Sequence, residues 1–175
     1  VLRAADECFG HRMMRDCVEP GGVSCDISMD GRTCLRELIR EFRKRFPKFV
    51  SLYDNTASLQ DRTVGAGILD AALASQYGAG GFVGRASGRE FDARRVCPYP
   101  PYDQLRFDVP TQKEGDVNAR LWVRIHEVEQ SLSLLEQILN QLPNGPCTTD
   151  VPARSGEGLA LIEGFRGDIL AYVRL

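Results

Sequence analysis

LWVRIHEVEQSLSLLEQILNQL, residues 121–142, decides how the rest of the chain is read. Leu121, Ile125, Val128, Leu132, Leu135, Leu139 and Leu142 advance by alternating steps of four and three. That seven-residue repeat is the seam of a long helix packed lengthwise against neighbours. Asp116 is placed to cap its start, and Pro143, Asn144-Gly145 and Pro146 end it. At ~1.5 Å per residue the helix is roughly 40 Å long. Trp122 and Val123 flank the seam, which favours a bundle over a coiled-coil homodimer. His126 beside the seam reads as an ordinary core or surface histidine rather than a ligand.

Moving toward the N-terminus, Leu105, Phe107 and Val109 alternate and predict a short strand ended by Pro110. Pro98, Pro100 and Pro101 exclude helix and make an extended surface segment. Gly78, Gly80, Gly81, Gly84 and Gly88 form a glycine-rich loop that lacks both phosphate-binding spacings. It reads as a tight backbone path where a Cβ would clash or φ must be positive. Residues 54–80 predict two short helices broken by Gly65 and Gly67. A helix begins near Asp30 or Thr33, with Leu35, Leu38, Ile39, Phe42, Phe46, Phe49 and Val50 on one face. Pro47 should kink or split it. Its other face carries Arg32, Arg36, Arg40, Arg43, Lys44, Arg45 and Lys48 against Glu37 and Glu41. That face is either simply solvated or a docking surface for an acidic partner or anionic lipid. Residues 1–15 read as the end of a helix, broken by Pro20-Gly21-Gly22; Val23–Ile27 is a short strand or extended loop. Toward the C-terminus, a polar loop precedes a hairpin over Gly158–Leu175, turning around Glu163-Gly164-Phe165-Arg166-Gly167. The expected fold is mainly α within the α+β class: a single-domain helical bundle over residues 1–175, with one long heptad-patterned helix and small β-hairpin elements.

Lys plus Arg is 22 and Asp plus Glu is 24, a net charge of −2. That balance argues against a chain built to grip nucleic acid. No uncharged apolar run approaches the ~18 residues of a membrane span, and no targeting segment is visible. Val1 and Leu175 both fall inside patterned sequence, so the chain reads as an interior piece of a longer protein. Cys8, Cys17, Cys25, Cys34, Cys97 and Cys147 form no CxxC pair, and the histidines are His11 and His126. Free, mostly buried thiols fit this better than disulfides or a self-contained zinc site. Arg166, between Phe165 and Gly167, is the most suggestive single residue, because an arginine on a tight turn can aim a fixed charge into a cleft. The bland alternative is a surface arginine.

Several motifs, in collinear order over nearly the whole chain, resemble one family. Gly10-His11-Arg12-Met13, Pro20-Gly21-Gly22-Val23 and Asp26 resemble the "GxRM…RxGGV…D" stretch of nickel–iron hydrogenase-type large subunits. Gly84-Arg85-Ala86-Ser87-Gly88, Asp92-Ala93-Arg94-Arg95, Pro98-Tyr99 and Tyr102 resemble the "G…RASG…D.R…PY..Y" loop. The narrower branch holds formate hydrogenlyase large subunits and the 49 kDa-type subunit of respiratory complex I. Phe107-Asp108-Val109-Pro110, Gly115-Asp116-Val117, Arg120, Val123-Arg124, Glu127 and Gln130-Ser131 are similar to its "FDVP…GD…R…VR…E…QS" lead into a long helix. Glu163-Gly164-Phe165-Arg166-Gly167-Asp168-Ile169 resembles its "EAPRGEL" turn, with Gly-Phe in place of Ala-Pro.

The resemblance implies the central to C-terminal part of an oxidoreductase large subunit, peripheral to the cytoplasmic face of a membrane. It implies a small iron–sulfur partner subunit and membrane-arm subunits, with electrons passing between the site and the partner's clusters. The resemblance puts Arg166 where hydrogenases carry an arginine over the metal centre, with Glu163 nearby. The parent would hold a nickel–iron centre or act on quinone, with NADH as ultimate donor in the complex I-like case. The two CxxC motifs that bind nickel and iron in hydrogenases are absent here, so no metal ligand or cofactor is assigned to these residues, and the piece alone is expected to be inactive. A reading of another class is a non-catalytic module that docks subunits.

Overall fold

The computed structural model describes residues 1–175, which divide into two compact units. One comprises Val1–Pro47 with Leu135–Ser155, and the other Lys48–Leu134 with Gly156–Leu175. The sequence of elements is mainly helical, with two small antiparallel hairpins.

In the first unit, α1 (Leu2–Phe9) buries Ala4, Ala5 and Cys8 and stops at Gly10, whose left-handed φ of 69° places its N–H on the Asp6 carbonyl. This is the usual glycine stop at a helix C-terminus. The two-residue strands β1 (Val18–Glu19) and β2 (Gly22–Val23) pair around Pro20-Gly21. The segment after the long helix runs beside them: Val23 N–H donates to the Cys147 carbonyl and Thr149 N–H to the Gly21 carbonyl. A Cβ on Gly22 would sit 2.0 Å from that Cys147 oxygen, so only glycine fits. Helix α2 (Met29–Asp54) buries Ile39. Pro47 lies inside α2 without ending it; it faces solvent, and the missing N–H costs one ladder bond.

The second unit holds α3 (Ala57–Thr63), α4 (Ala71–Gln76), α5 (Gly81–Ala86) and α6 (Ala93–Val96). The expected pair of short helices on either side of Gly65 and Gly67 is therefore present. Asp70 caps α4 by accepting from the N–H groups of Ala72 and Leu73. The glycine-rich stretch is tight, as expected, and also winds a short helix, α5. A Cβ on Gly84 would meet the Ala79 carbonyl oxygen at 2.0 Å. No strand forms at Leu105–Val109, in contrast to the expectation. Leu105 and Phe107 are buried there as an alternating pattern requires, but no neighbouring strand pairs with them. Instead the guanidiniums of Arg94 and Arg95 cover the Phe107 ring at 5.0 and 5.4 Å.

Helix α7 (Val117–Gln141) starts where expected: Asp116, itself buried, accepts from Ala119 N–H at 2.7 Å and from Gly65 N–H at 2.7 Å. The heptad seam is only partly its buried line: Leu132 and Leu139 are buried, at 8% and 4% exposed. Ala119 and Val123, both outside the seam, are 2% and 0% exposed, whereas Leu135 within it is 38% exposed. Leu121, Ile125 and Val128 are only half-buried. In its first turns Ala119 and Val123 pack with Phe82 and Ala86 of α5, so α7 buries small residues there in place of seam leucines.

The C-terminal hairpin is present with the expected turn. Strands β3 (Glu157–Gly164) and β4 (Gly167–Arg174) pair from Glu157↔Arg174 to Gly164↔Gly167, leaving Phe165-Arg166 as a two-residue loop. All six cysteines are free, but only Cys8 is buried, while Cys97 and Cys147 are exposed. The expectation of mostly buried thiols is corrected on that point. No helix is long and apolar enough to cross a membrane.

Candidate functional site

The second unit gathers charged side chains from four places in the sequence around Arg85. Helix α5 is anchored by Phe82 and Ala86 in the core, so Arg85 on the same short helix is drawn in with them and is 2% exposed. Its Nη1 donates to Glu163 Oε1 at 2.7 Å and to the Phe91 carbonyl at 3.3 Å. Its Nη2 donates to Glu127 Oε1 on α7. Asp92 Oδ2 lies 3.7 Å from Nη1. The second oxygen of Glu163 accepts from Ala93 N–H at 2.9 Å, at the start of α6.

Asp92, fully buried, caps α6 through Arg94 N–H and also accepts from Arg94 Nε (2.9 Å) and Nη2 (2.6 Å). Burial is the largest single influence on Asp92 and pushes its carboxyl up. The hydrogen bonds and charge of Arg94, with the charge of Arg85, together outweigh it and hold the carboxyl below its ordinary 3.8. The same Asp92 hydrogen bonds raise Arg94 further, against burial. Three carboxylates thus face two guanidiniums in a nearly dry setting, where a buried charge is tolerable only when paired and hydrogen-bonded.

A polar cavity of about 180 Å³ opens beside this cluster. Arg85, Arg94, Asp108, Glu127, Gln130, Ser131, Glu163 and Phe165 line it. Arg124 crosses the Phe82 ring 3.7 Å from its centroid, and Phe82 in turn meets Phe165 at 5.2 Å. Burial lowers the Arg124 guanidinium, with the Glu127 charge acting the other way.

The structure separates the two residues that the sequence singled out. Glu163 is buried and spends both oxygens holding α5 and α6 to the hairpin. Arg166 stands exposed at the hairpin turn, beside Phe165, which is 67% exposed. The turn is held by backbone contact. A Cβ on Gly81, whose φ is +57°, would lie 2.5 Å from the Arg166 carbonyl carbon. Arg85, Asp92, Arg94 and Glu127 were not singled out. Each lies in a motif that carries the resemblance, and that shared membership is the signal that could have found them.

No three or more His, Cys, Asp or Glu side chains are arranged to hold a metal ion. The acidic side chains near Arg85 are instead engaged with guanidiniums.

The comparisons with known proteins agree with the motif reading. The "Carbon monoxide-induced hydrogenase" of Rhodospirillum rubrum is 36% identical over 172 residues, covering 95% of this chain and 47% of that protein. An NADH-quinone oxidoreductase subunit of Syntrophobacter fumaroxidans is 35% identical over 99% of this chain and 48% of its own length. The subunit of the same name from Ehrlichia chaffeensis is 38% identical over 86% of this chain and 38% of its own length. The chain thus spans about half the length, or less, of these curated relatives. The family described as "Respiratory-chain NADH dehydrogenase, 49 Kd subunit" matches residues 1–173. The chain belongs to that family, within the hydrogenase-type large-subunit branch that the motifs at Gly10, Gly84, Gly115 and Glu163 delineate.

Proposed function

We propose that this chain is part of the large subunit of an electron-transferring oxidoreductase. The observation that carries this reading is the family match across residues 1–173, whose motif charges converge on Arg85. The parent works either as a hydrogenase or as the 49 kDa-like subunit of an NADH–quinone oxidoreductase. Relatives named for each activity cover nearly the whole chain. Electrons pass to or from iron–sulfur clusters in a small partner subunit, and the assembly sits at the cytoplasmic face of a membrane beside membrane-arm subunits. Any nickel–iron centre or quinone belongs to the parent rather than to ligands among these residues.

In this reading Arg166 is the residue that faces the reacting group, as a fixed cation on a two-residue turn. Glu163 contributes through Arg85 by holding that turn in place. The catalytic work of these residues is electrostatic: the Arg166 guanidinium, carried on a turn whose backbone packs against Gly81, stabilises negative charge as it develops. The deciding experiment assays the purified parent complex for hydrogen evolution and for NADH–quinone reduction. Activity in one of the two, lowered at least about tenfold in Arg166→Ala and partly restored in Arg166→Lys, is expected. A complex with neither activity and no iron–sulfur subunit would overturn the enzyme reading in favour of a subunit-docking module.

A further inference from the structure

The basic face of α2 is unused by the site above. Arg36, Arg40, Arg43, Lys44 and Arg45 are all exposed. Two of them have acidic partners: Arg43 pairs with Glu136 through both ends of its guanidinium at 2.8 Å, and Arg45 pairs with Glu41 at 2.8 Å. The row Arg36, Arg40, Lys44 differs. Its members stand one helical turn apart on one side of α2. Arg36 reaches only the neutral Asn140 amide oxygen at 3.5 Å, and Arg40 and Lys44 make no ion pair or hydrogen bond.

We propose that this row docks onto a carboxylate-rich surface of another protein subunit. Like charges four residues apart destabilise a helix, and this row carries two such pairs in succession. The chain does not lack acid, since Asp plus Glu exceeds Lys plus Arg, 24 to 22, yet no carboxylate of its own answers these three. The complement therefore lies outside these residues. The face is dominated by arginine, whose planar fork pairs with carboxylates two bonds at a time and which is enriched where proteins meet. An anionic bilayer would instead call for apolar side chains beside the basic ones. Along the turns that carry the row, the apolar residues Leu35, Ile39, Phe42 and Phe46 face the other side of α2, where they are buried or half-buried, and the exposed Phe49 and Leu52 lie beyond Pro47, past the last member of the row. The inference rests on the reading that the parent is one subunit of several, and not on its redox chemistry.

A zero-length carbodiimide reagent tests it in the intact parent complex, because it joins an amine only to a carboxylate already in contact. Mass spectrometry should find Lys44 joined to an Asp or Glu of another polypeptide, and Lys44→Arg should abolish that product while leaving assembly intact. Arg40→Glu with Lys44→Glu in the full-length subunit should weaken its association with the remaining subunits at least about tenfold, more at low salt than at high. Arg40→Gln with Lys44→Gln gives the same readout, in the same direction, should charge reversal unfold the protein. Undiminished association of either pair, or no intermolecular product at Lys44 in the intact complex, would overturn the proposal. So would charge-dependent binding of the full-length subunit to phosphatidylglycerol vesicles but not phosphatidylcholine ones, which would assign the face to lipid. Each of these is read without turnover, so failure here is distinct from absence of redox activity.

Discussion

Glu163 Oε1 lies 2.7 Å from Arg85 Nη1, although 78 residues separate the two in the chain. Their side chains are 5% and 3% exposed. Removing one member of such a pair leaves the other charged and dry, which costs about 3–5 kcal/mol. Arg85→Met should destabilise the second unit by that amount, because it orphans Glu163 and Glu127 together. The exposed Arg43–Glu136 pair, 49% and 42% exposed, should lose no more than about 1 kcal/mol in Glu136→Ala. Urea unfolding of both variants measures the contrast, and equal losses would show that Arg85 does not hold its unit together.

Asp92 gives the fold a directional response to acid. Its carboxyl is held below its unfolded value of 3.8, so the unfolded chain takes up that proton first as pH falls. The stability it contributes is complete above that value and declines as pH drops toward the folded one. Asp92→Asn should lower stability at neutral pH and flatten the slope below about pH 4, as read from denaturant midpoints across pH 3–7. A variant whose acid slope matched the parent's would place the acid-labile group elsewhere.

Two glycines with similar backbone angles should respond differently to alanine. Gly78 has φ +60° with nothing within 4 Å of an added Cβ, so Gly78→Ala should cost only the left-handed backbone penalty, about 1–2 kcal/mol. Gly81 has φ +57°, and its Cβ would strike the Arg166 carbonyl carbon and Gly167 nitrogen at 2.5 Å. Gly81→Ala should therefore cost roughly 2–5 kcal/mol, adding overpacking to the same penalty. Thermal melts of the pair discriminate the two contributions.

Cys34 should be a slow thiol despite being only half-buried. Its S–H donates to Glu7 Oε2 at 3.1 Å. That hydrogen bond, followed by burial and the Glu7 charge, pushes the thiol up to about 11. Glu7→Gln should speed iodoacetamide labelling of Cys34 by about tenfold at pH 8, the gain in thiolate being partly offset by its lower nucleophilicity. Peptide mapping reads the rate at Cys34 against exposed Cys97 and Cys147. An unchanged rate would mean that Glu7 does not control the thiol.

Where local rules settle a structure, the sequence was legible. Asp116 caps α7, Gly10 stops α1, and the alternation across Phe165-Arg166 gives the observed hairpin. The buried face of α7 was only partly legible from its leucines. Leu132 and Leu139 of the heptad are buried, but Leu135 is exposed, and Ala119 and Val123, outside the heptad, are the residues that pack with Phe82 and Ala86. The same limit hid Arg85 and Asp92. Arg85 and Asp92 look like surface residues until the fold supplies Glu127 and Glu163 around the arginine and Arg85 and Arg94 around the aspartate. Arg166 was legible as an exposed charge on a turn. Glu163, three residues before it, was found for the wrong neighbour, since its partners are Arg85 and the Ala93 amide.

The order in which Arg85 meets its partners carries a consequence for how the chain is made. Asp92 follows Arg85 almost at once during synthesis and Glu127 some forty residues later, but Glu163 is 78 residues away. At about 5–20 residues per second, that last carboxylate leaves the ribosome about 4–16 s after the arginine. By the end of that interval α5, α6 and α7 have all emerged, while the clamp joining them is open on the side where the hairpin belongs. The arrival of Glu163 therefore works as a completion signal. A nascent chain halted before residue 163 holds every helix of the fold and still lacks the carboxylate that ties both α5 and α6 to the hairpin.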